Sequence, residues 1–329
     1  MCHRPSTTAL LDHVFFSCIP AMNLDFLLLT LNDIVWPTDI PGQLFESAHQ
    51  DVQPTLLKKF GQIHPLLVQE EAQSRYRLLA GYTWYLAMQT AGHTTASCQL
   101  LHAKTAPNIL FSLQIIHQNH YKELSPVLQA YILRQAQNHL SEHDLLNLLP
   151  LMQHKPQRHI LLDILNLLQL DQTVLAAMHW GQIPMKAGKS LARFSCGEQK
   201  ILAELICHYQ LGGSKQQKFL EMMTEISLRT QRTAQEILQN WEMQRPLGQD
   251  NGPQEAANLL AHLTACCYPA RVEAEERFQK LAQTLRLPKG VSIEHCPAFE
   301  DDSLEVRLHF NDSESLLNNW NSLKEITLS

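Results

Sequence analysis

The chain has 329 residues, of which 45% are hydrophobic and 18% charged, and a formal net charge of −6. That length calls for two or three domains, and the composition excludes wholesale disorder and a small disulfide-stapled fold. The charge divides unevenly: residues 1–130 carry 7 basic and 9 acidic side chains, 131–249 carry 12 and 10, and 250–329 carry 7 and 13. Only the middle segment is net positive, by two, and a nucleic-acid partner would be expected there.

In chain order, an apolar stretch comes first, at 9–20. It contains Asp12 and His13, has only Arg4 before it, and is too short to span a bilayer. Met22 opens the first strand-like run, so residues 1–21 read as either a disordered or a mis-assigned extension. A strand is expected at 26–31, ended by Asn32 and Asp33, then a short helix at 54–60 closed by Gly61. Strands follow at 66–69 and 76–80. Gly81 opens a helix at 82–90, which Gly92 stops, and a last strand is expected at 96–101. This alternation makes a compact α/β domain over residues 22–106.

From residue 108 the apolar spacing becomes helical, punctuated by Pro107, Pro126, Pro150, Pro156 and Pro184. Ser141 and Asp144 have capping-box spacing, with a shorter carboxylate than usual at the second position. One helix is expected at 140–149, a turn at 153–155 and a second helix at 156–168. Helices continue to 244, broken at Gly212 and Gly213, so an all-helical domain is assigned to 107–244. Residues 245–253, rich in Gly, Pro, Asn and Asp, read as a linker. The remainder, 254–329, is expected to hold helices at 254–267 and 271–285, strands at 291–295 and 304–310, and a short helix near 313–320.

The eight cysteines show no CxxC spacing and read as reduced thiols of a cytoplasmic protein. His262, Cys266 and Cys267 lie close in sequence, but adjacent cysteines on a Leu/Ala-rich helix fit core packing better than a metal site. No metal is assigned.

Three sequence elements recur in a fixed order. Gly61-Gln-Ile-His-Pro-Leu-Leu-Val68 precedes Arg75-Tyr-Arg-Leu-Leu-Ala-Gly81, which runs into Ala87-Met-Gln-Thr-Ala-Gly92. Over residues 24–104 this order resembles the N-terminal domain of the ParB/sulfiredoxin superfamily. A second stretch, Gly181-Gln-Ile-Pro-Met-Lys-Ala-Gly-Lys-Ser-Leu191, resembles the ParB element Gly-x-Ile-x-x-x-x-Ala-x-x-Leu that follows a helix-turn-helix. The resemblance so extends to about residue 240. It implies an α+β, predominantly helical protein: a small ParB/sulfiredoxin-like domain, a helix-turn-helix domain and a small C-terminal α/β domain.

A glycine at a strand-to-helix junction lets a phosphate approach the free N–H groups of the helix. In ParB proteins that glycine is followed by Glu-Arg-Arg, whose arginines help hold cytidine triphosphate; here Tyr82, Thr83 and Trp84 follow Gly81. The family's Glu-Asn-x-x-Arg is His117 to Tyr121 here, so a metal-holding acid and a further arginine are also replaced. The pocket implied by the resemblance, comprising Gly61, His64, Gly81, Tyr82, Thr83, Trp84, His117 and Tyr121, is degenerate. Triphosphate without cationic clamps is poorly held, so neither CTP turnover nor a resident cofactor is expected, with CTP and magnesium as the alternative. A sulfiredoxin-type enzyme would need a cysteine near Gly81, and the sequence has none there. Tyr82 and Trp84 offer either an aromatic platform for a base or ordinary packing on the sheet.

The second helix of a helix-turn-helix lies in the major groove and offers polar side chains near its N-terminus. Gln157, Arg158 and His159 stand there, with Asp163 and Asn166 further along. Arg158 suits guanine and Gln157 suits adenine, while Lys155, Lys186, Lys189 and Arg193 suit phosphates. Lys215, Lys218, Arg229 and Arg232 form a second basic cluster that spacing leaves open between backbone contact and a solvated face. The expected partner is double-stranded DNA, bound by a nucleoid-associated, cytoplasmic homodimer. The acidic C-terminal segment is assigned to dimerisation or a protein partner by position. The alternatives are a CTP-dependent clamp and an interaction module that binds no DNA.

Overall fold

The computed structural model describes residues 25–45, 54–121, 124–244, 252–285, 291–296, 303–310, 312–314 and 316–317. The extension expected at 1–21, and most of the linker expected at 245–253, lie outside these residues. The chain divides into two compact units between Gly213 and Ser214.

The first unit begins with five strands: β1 (Asp25–Thr30), β2 (Ile34–Val35), β3 (Leu66–Glu70), β4 (Tyr76–Ala80) and β5 (Thr95–Leu101). They form one mixed sheet in the order β1-β5-β3-β4-β2. β3 runs parallel to β5 and antiparallel to β4, and β1 is antiparallel to β5. The central strand β3 is continuously apolar at its start, and Leu66, Leu67 and Val68 are buried, as expected of a strand covered on both faces. β1 was anticipated at 26–31, but it ends one residue earlier because residues Leu31–Asp33 turn into a 3-10 helix. The two-residue strand β2 was not anticipated, being too short to show a period.

Helix α1 (Pro54–Phe60) ends at Gly61, whose φ is +70°. Helix α2 (Tyr82–Thr90) starts directly from β4 through Gly81. Helices α3 (Pro107–Tyr121) and α4 (Pro126–Ala136) begin at prolines, where the missing N–H costs nothing. Ser125 caps α4 by accepting from the Leu128 amide at 3.2 Å. Helix α5 (Glu142–Leu148) is capped by Ser141, which accepts from the Asp144 amide at 3.2 Å. The Asp144 carboxylate accepts from the Ser141 hydroxyl at 2.7 Å. A 3-10 turn, Leu149–Met152, then leads to Gln153 in the left-handed region at φ +64°.

Helix α6 (Arg158–Asn166) starts two residues later than the sequence suggests. Gln157 is extended at φ −125°, and its amide donates to the Lys155 carbonyl across Pro156. Helices α7 (Gln172–His179), α8 (Met185–Leu191) and α9 (Cys196–His208) complete the unit. At α9 the capping box is complete: Glu198 accepts from the Ser195 amide at 3.0 Å. Gly188 has a packing reason. A Cβ there would lie 2.5 Å from Met178 Sδ, so α8 sits against α7 at a distance only glycine allows without a shift.

All of α10 (Gly213–Thr230) but its first residue belongs to the second unit, which also contains α11 (Ala234–Gln244), α12 (Gly252–Cys267) and α13 (Pro269–Thr284). Phe219, Leu220, Met223, Leu238, Trp241, Leu259 and Leu263 are buried in its core. Strands β6 (Val291–His295) and β7 (Leu304–Leu308) pair as an antiparallel ribbon, with His295 against Phe278 of α13. Of the terminal helix expected near 313–320, only four residues are described. No helix among the described residues is long and apolar enough to cross a membrane.

Candidate nucleic-acid interface and the glycine junction

Gly81 adopts φ +92°, and a Cβ there would approach Leu66 Cδ2 to 2.8 Å. The backbone conformation favours glycine here, and a Cβ would in addition have to push the Leu66 methyl aside. Its amide, the group that would face a phosphate, donates to Gln118 Oε1 of α3 at 3.3 Å. Tyr82 is buried. Its hydroxyl donates to the Leu79 carbonyl at 2.6 Å and accepts from Gln114 Nε2 at 3.3 Å. Trp36 and Phe45 pack on its ring, each with centroids 5.3 Å away. Burial pushes the Tyr82 phenol well above its ordinary range. Of the two readings of this aromatic pair, Tyr82 takes the packing one. Trp84 is half-buried, edge-on to His64 at 5.6 Å.

His117 lies on α3 near His64 and His120. Burial, then the two neighbouring imidazoles, push its pKa down to about 4, against a hydrogen bond to the Pro65 backbone that raises it. At neutral pH this imidazole is uncharged. The side chain of Tyr121 lies outside the described residues. Arg77, the cation whose charge reaches Tyr82, is engaged by Gln69 Oε1 at 2.7 Å and by Glu71 at 3.7 Å. The junction so gathers Gly81, Tyr82, Trp84, His64 and His117. None of the five is a lysine or an arginine. An open cleft of about 590 Å³ runs beside it, between Leu67 and Gln99 of the sheet, α3 and the turn at Pro150, Leu151 and Gln153. Among the described residues its walls carry no Lys, Arg, Asp or Glu.

The second candidate region is the outer face of α6. The helix buries Leu161, Ile164 and Leu165, each side chain contributing roughly 1.5–3 kcal/mol through removal from water. That fixes the opposite face. Lys155, Gln157, Arg158, His159, Leu162 and Asn166 are all exposed. On α6, His159, Leu162 and Asn166 follow the 3- and 4-residue steps of one helical stripe, and Lys155 lies in the turn before it. Helix α8 places Lys186 and Lys189 in solvent, and Arg193 follows just beyond it, also exposed. The faces of α6 and α8 are adjacent, because Lys189 Nζ reaches Asp163 Oδ2 at 2.7 Å. All eight residues assigned to DNA from the sequence are therefore exposed, and most lie on α6, α8 or the turns beside them.

Sequence reasoning passed over Glu142 and Leu162 here, and over the pairing of Asp163. Glu142 of α5 pairs with Arg158 Nε at 3.2 Å, Asp163 pairs with Lys189 as above, and Leu162 lies open on the stripe. An acid 16 residues away gives no helical-spacing signal. Five apolar residues among the nine of α6 hide which one faces out.

The second basic cluster resolves in part. Arg229 donates to the carbonyl of Cys267 at 2.8 Å and to that of Cys266, so it closes the C-terminus of α12. His262 Nε2 lies 3.6 Å from Cys266 Sγ, while Cys267 Sγ turns to the Met222 carbonyl at 3.6 Å. The two thiols therefore point to different partners.

No family model matches the chain, and no curated protein does. Among solved structures it is similar to the C-terminally truncated chromosome-partitioning protein ParB from Caulobacter crescentus complexed with CTP-γ-S. That similarity has 16% identity and a TM-score of 0.23, over 55% of this chain and 98% of that one. The same protein complexed to the centromeric parS site gives 15% identity and a TM-score of 0.27, over 59% and 98%. A Pnob8-like ParB-N domain gives 12% identity and a TM-score of 0.34, over 56% and 93%. At such scores these likenesses carry no residue's role across to this chain.

Proposed function

We propose that this chain is a ParB-type DNA-binding protein that reads duplex DNA with α6 and grips phosphates with Lys155, Lys186, Lys189 and Arg193. The observation that carries the reading is the exposed polar stripe of α6 lying beside the basic face of α8. A short helix held by its apolar side, with its polar side open and cations flanking it, suits the major groove. The ordered sequence elements on either side of it support the same reading. A role in partition or in transcription follows from it.

The reading excludes nucleotide turnover. The Gly81 amide is engaged by Gln118, and Arg77 by Gln69 and Glu71. A triphosphate at the junction would meet a neutral imidazole in place of cationic clamps. Calorimetric titration with the four nucleoside triphosphates and magnesium tests this: no heat is expected, and heat abolished by Gly81→Ala would restore the clamp reading. The proposal includes self-association through the second unit, where Leu304, Val306 and Leu308 share one exposed face of β7. Sedimentation should show a dimer that Val306→Asp weakens.

The DNA reading is tested by selection from a random duplex pool at two salt concentrations, with wild type against Arg158→Ala. Wild type should enrich a sequence, bind more weakly as salt rises, and lose about 1–3 kcal/mol of discrimination at one guanine on substitution. Absent binding at low salt would overturn it.

A further inference from the structure

Among the described residues from 117 to 227, Leu162 is the one large hydrophobic side chain that stands exposed, at 47%. A lone exposed leucine is ordinary on a protein surface; its position here is not. It sits in the middle of the α6 stripe, between His159 and Asn166, one turn beyond Arg158. The other exposed side chains of that helix are polar, while the neighbouring Leu161, Ile164 and Leu165 are buried. The charged groups around it are already paired: Arg158 with Glu142, and Asp163 with Lys189. The stripe therefore presents a single apolar knob inside a polar frame, with cations on the flanking helix.

In the major groove of duplex DNA the apolar group exposed on a base edge is the 5-methyl of thymine. Adenine, guanine and cytosine offer donors and acceptors there. A leucine placed against any of those desolvates a polar atom without replacing its hydrogen bond. We infer that Leu162 is the specificity residue for thymine, packing on its 5-methyl group in the major groove. This inference rests on the reading of α6 as the DNA-contacting helix and adds the base at its centre.

The test uses the full chain and the duplex selected from the random pool. Each thymine of that duplex is replaced in turn by deoxyuridine, which removes the 5-methyl and nothing else. One position per bound α6 should weaken wild-type binding about fourfold, the worth of one buried methyl group. Leu162→Ala should bind the thymine and uracil duplexes alike, and it should melt close to wild type, because about half of the side chain is already in water. Leu162→Gln should move the preferred base at that position from thymine toward adenine. The inference is overturned if no thymine shows a methyl effect, or if Leu162→Ala keeps the full discrimination. In that case selective DNA binding by wild type still upholds the reading of α6. If wild type selects no duplex at low salt, that reading falls and takes this one with it.

Discussion

At the glycine junction the backbone amide of Gly81 meets Gln118, and Tyr82 behind it is sealed under Trp36 and Phe45. On α6 and the turn before it the side chains of Lys155, Gln157, Arg158, His159 and Asn166 extend into water. Both regions are helix N-termini entered from a short connection, and both could bear an anion by geometry alone. What separates them is occupancy by the chain itself. The junction fills its polar positions internally and gains stability from doing so. The α6 face leaves its polar positions unfilled or held by exposed ion pairs, which contribute little in solvent. A shared backbone arrangement therefore says where a ligand would fit, and the side chains say whether a place remains for it.

The contrast is broken most directly by Tyr82→Ala. Removing a buried aromatic ring should cost about 3–5 kcal/mol of folding stability, read from the denaturant midpoint at constant m. Arg158→Ala, on the open face, should change stability by no more than about 1 kcal/mol, the worth of its exposed pair with Glu142. If the Tyr82 loss were small, the junction would be loose, and an incoming base could compete for that place.

A pH titration sharpens the same point. His117 has a folded pKa of about 4 against 6.5 for the free side chain. Below pH 6.5 the unfolded chain takes up a proton that the folded chain refuses. Stability is then full above pH 6.5, falls through the window between about 6.5 and 4, and levels off beneath it. The loss should be on the order of 3 kcal/mol. His154 and His262 are also pushed down by burial and slope the same way, so the quantity to compare is wild type minus His117→Gln. A difference that stays flat between pH 7 and 4 would mean that His117 is solvated and open to a ligand.

Much of the junction was legible in the sequence because its signals are local. Gly81 before an apolar helix start, Gly92 after it, and the apolar run Leu66–Val68 each speak for their own segment, and β4 and α2 fall where expected. The partners that close the junction were not legible. Gln118 lies 37 residues from Gly81 and Gln114 lies 32 from Tyr82, and no periodicity links them. On α6 the sequence named the polar residues but not the phase of the apolar ones, so Leu162 was not singled out. Gly188 shows the reverse case. It stands where the resembling pattern has alanine, and only the contact with Met178 gives the reason.

On the open face, Lys186→Ala should weaken DNA binding uniformly across sequences, by about fivefold at low salt. It should also lower the slope of log affinity against log salt by about one. A change confined to one sequence would instead make Lys186 a base contact.

The smallest expected effect comes from Glu142→Gln and is the most specific to this arrangement. In the free protein the Arg158 guanidinium rests 3.2 Å from the Glu142 carboxylate, with both side chains largely in solvent. Such a pair adds at most about 1 kcal/mol to folding, so melting should barely move. On the proposed DNA reading the carboxylate would act twice against binding: it would have to release Arg158 before a guanine could take it, and its charge would repel the incoming phosphates. Glutamine keeps the size and removes both costs. Affinity should therefore rise about two- to threefold at low salt, and the gain should shrink as salt screens the charge. In the Arg158→Ala background the part due to release should vanish, leaving the part due to phosphate repulsion. A Glu142→Gln protein that binds more weakly than wild type would show instead that the carboxylate orients Arg158 for its base, and that the ion pair persists in the complex.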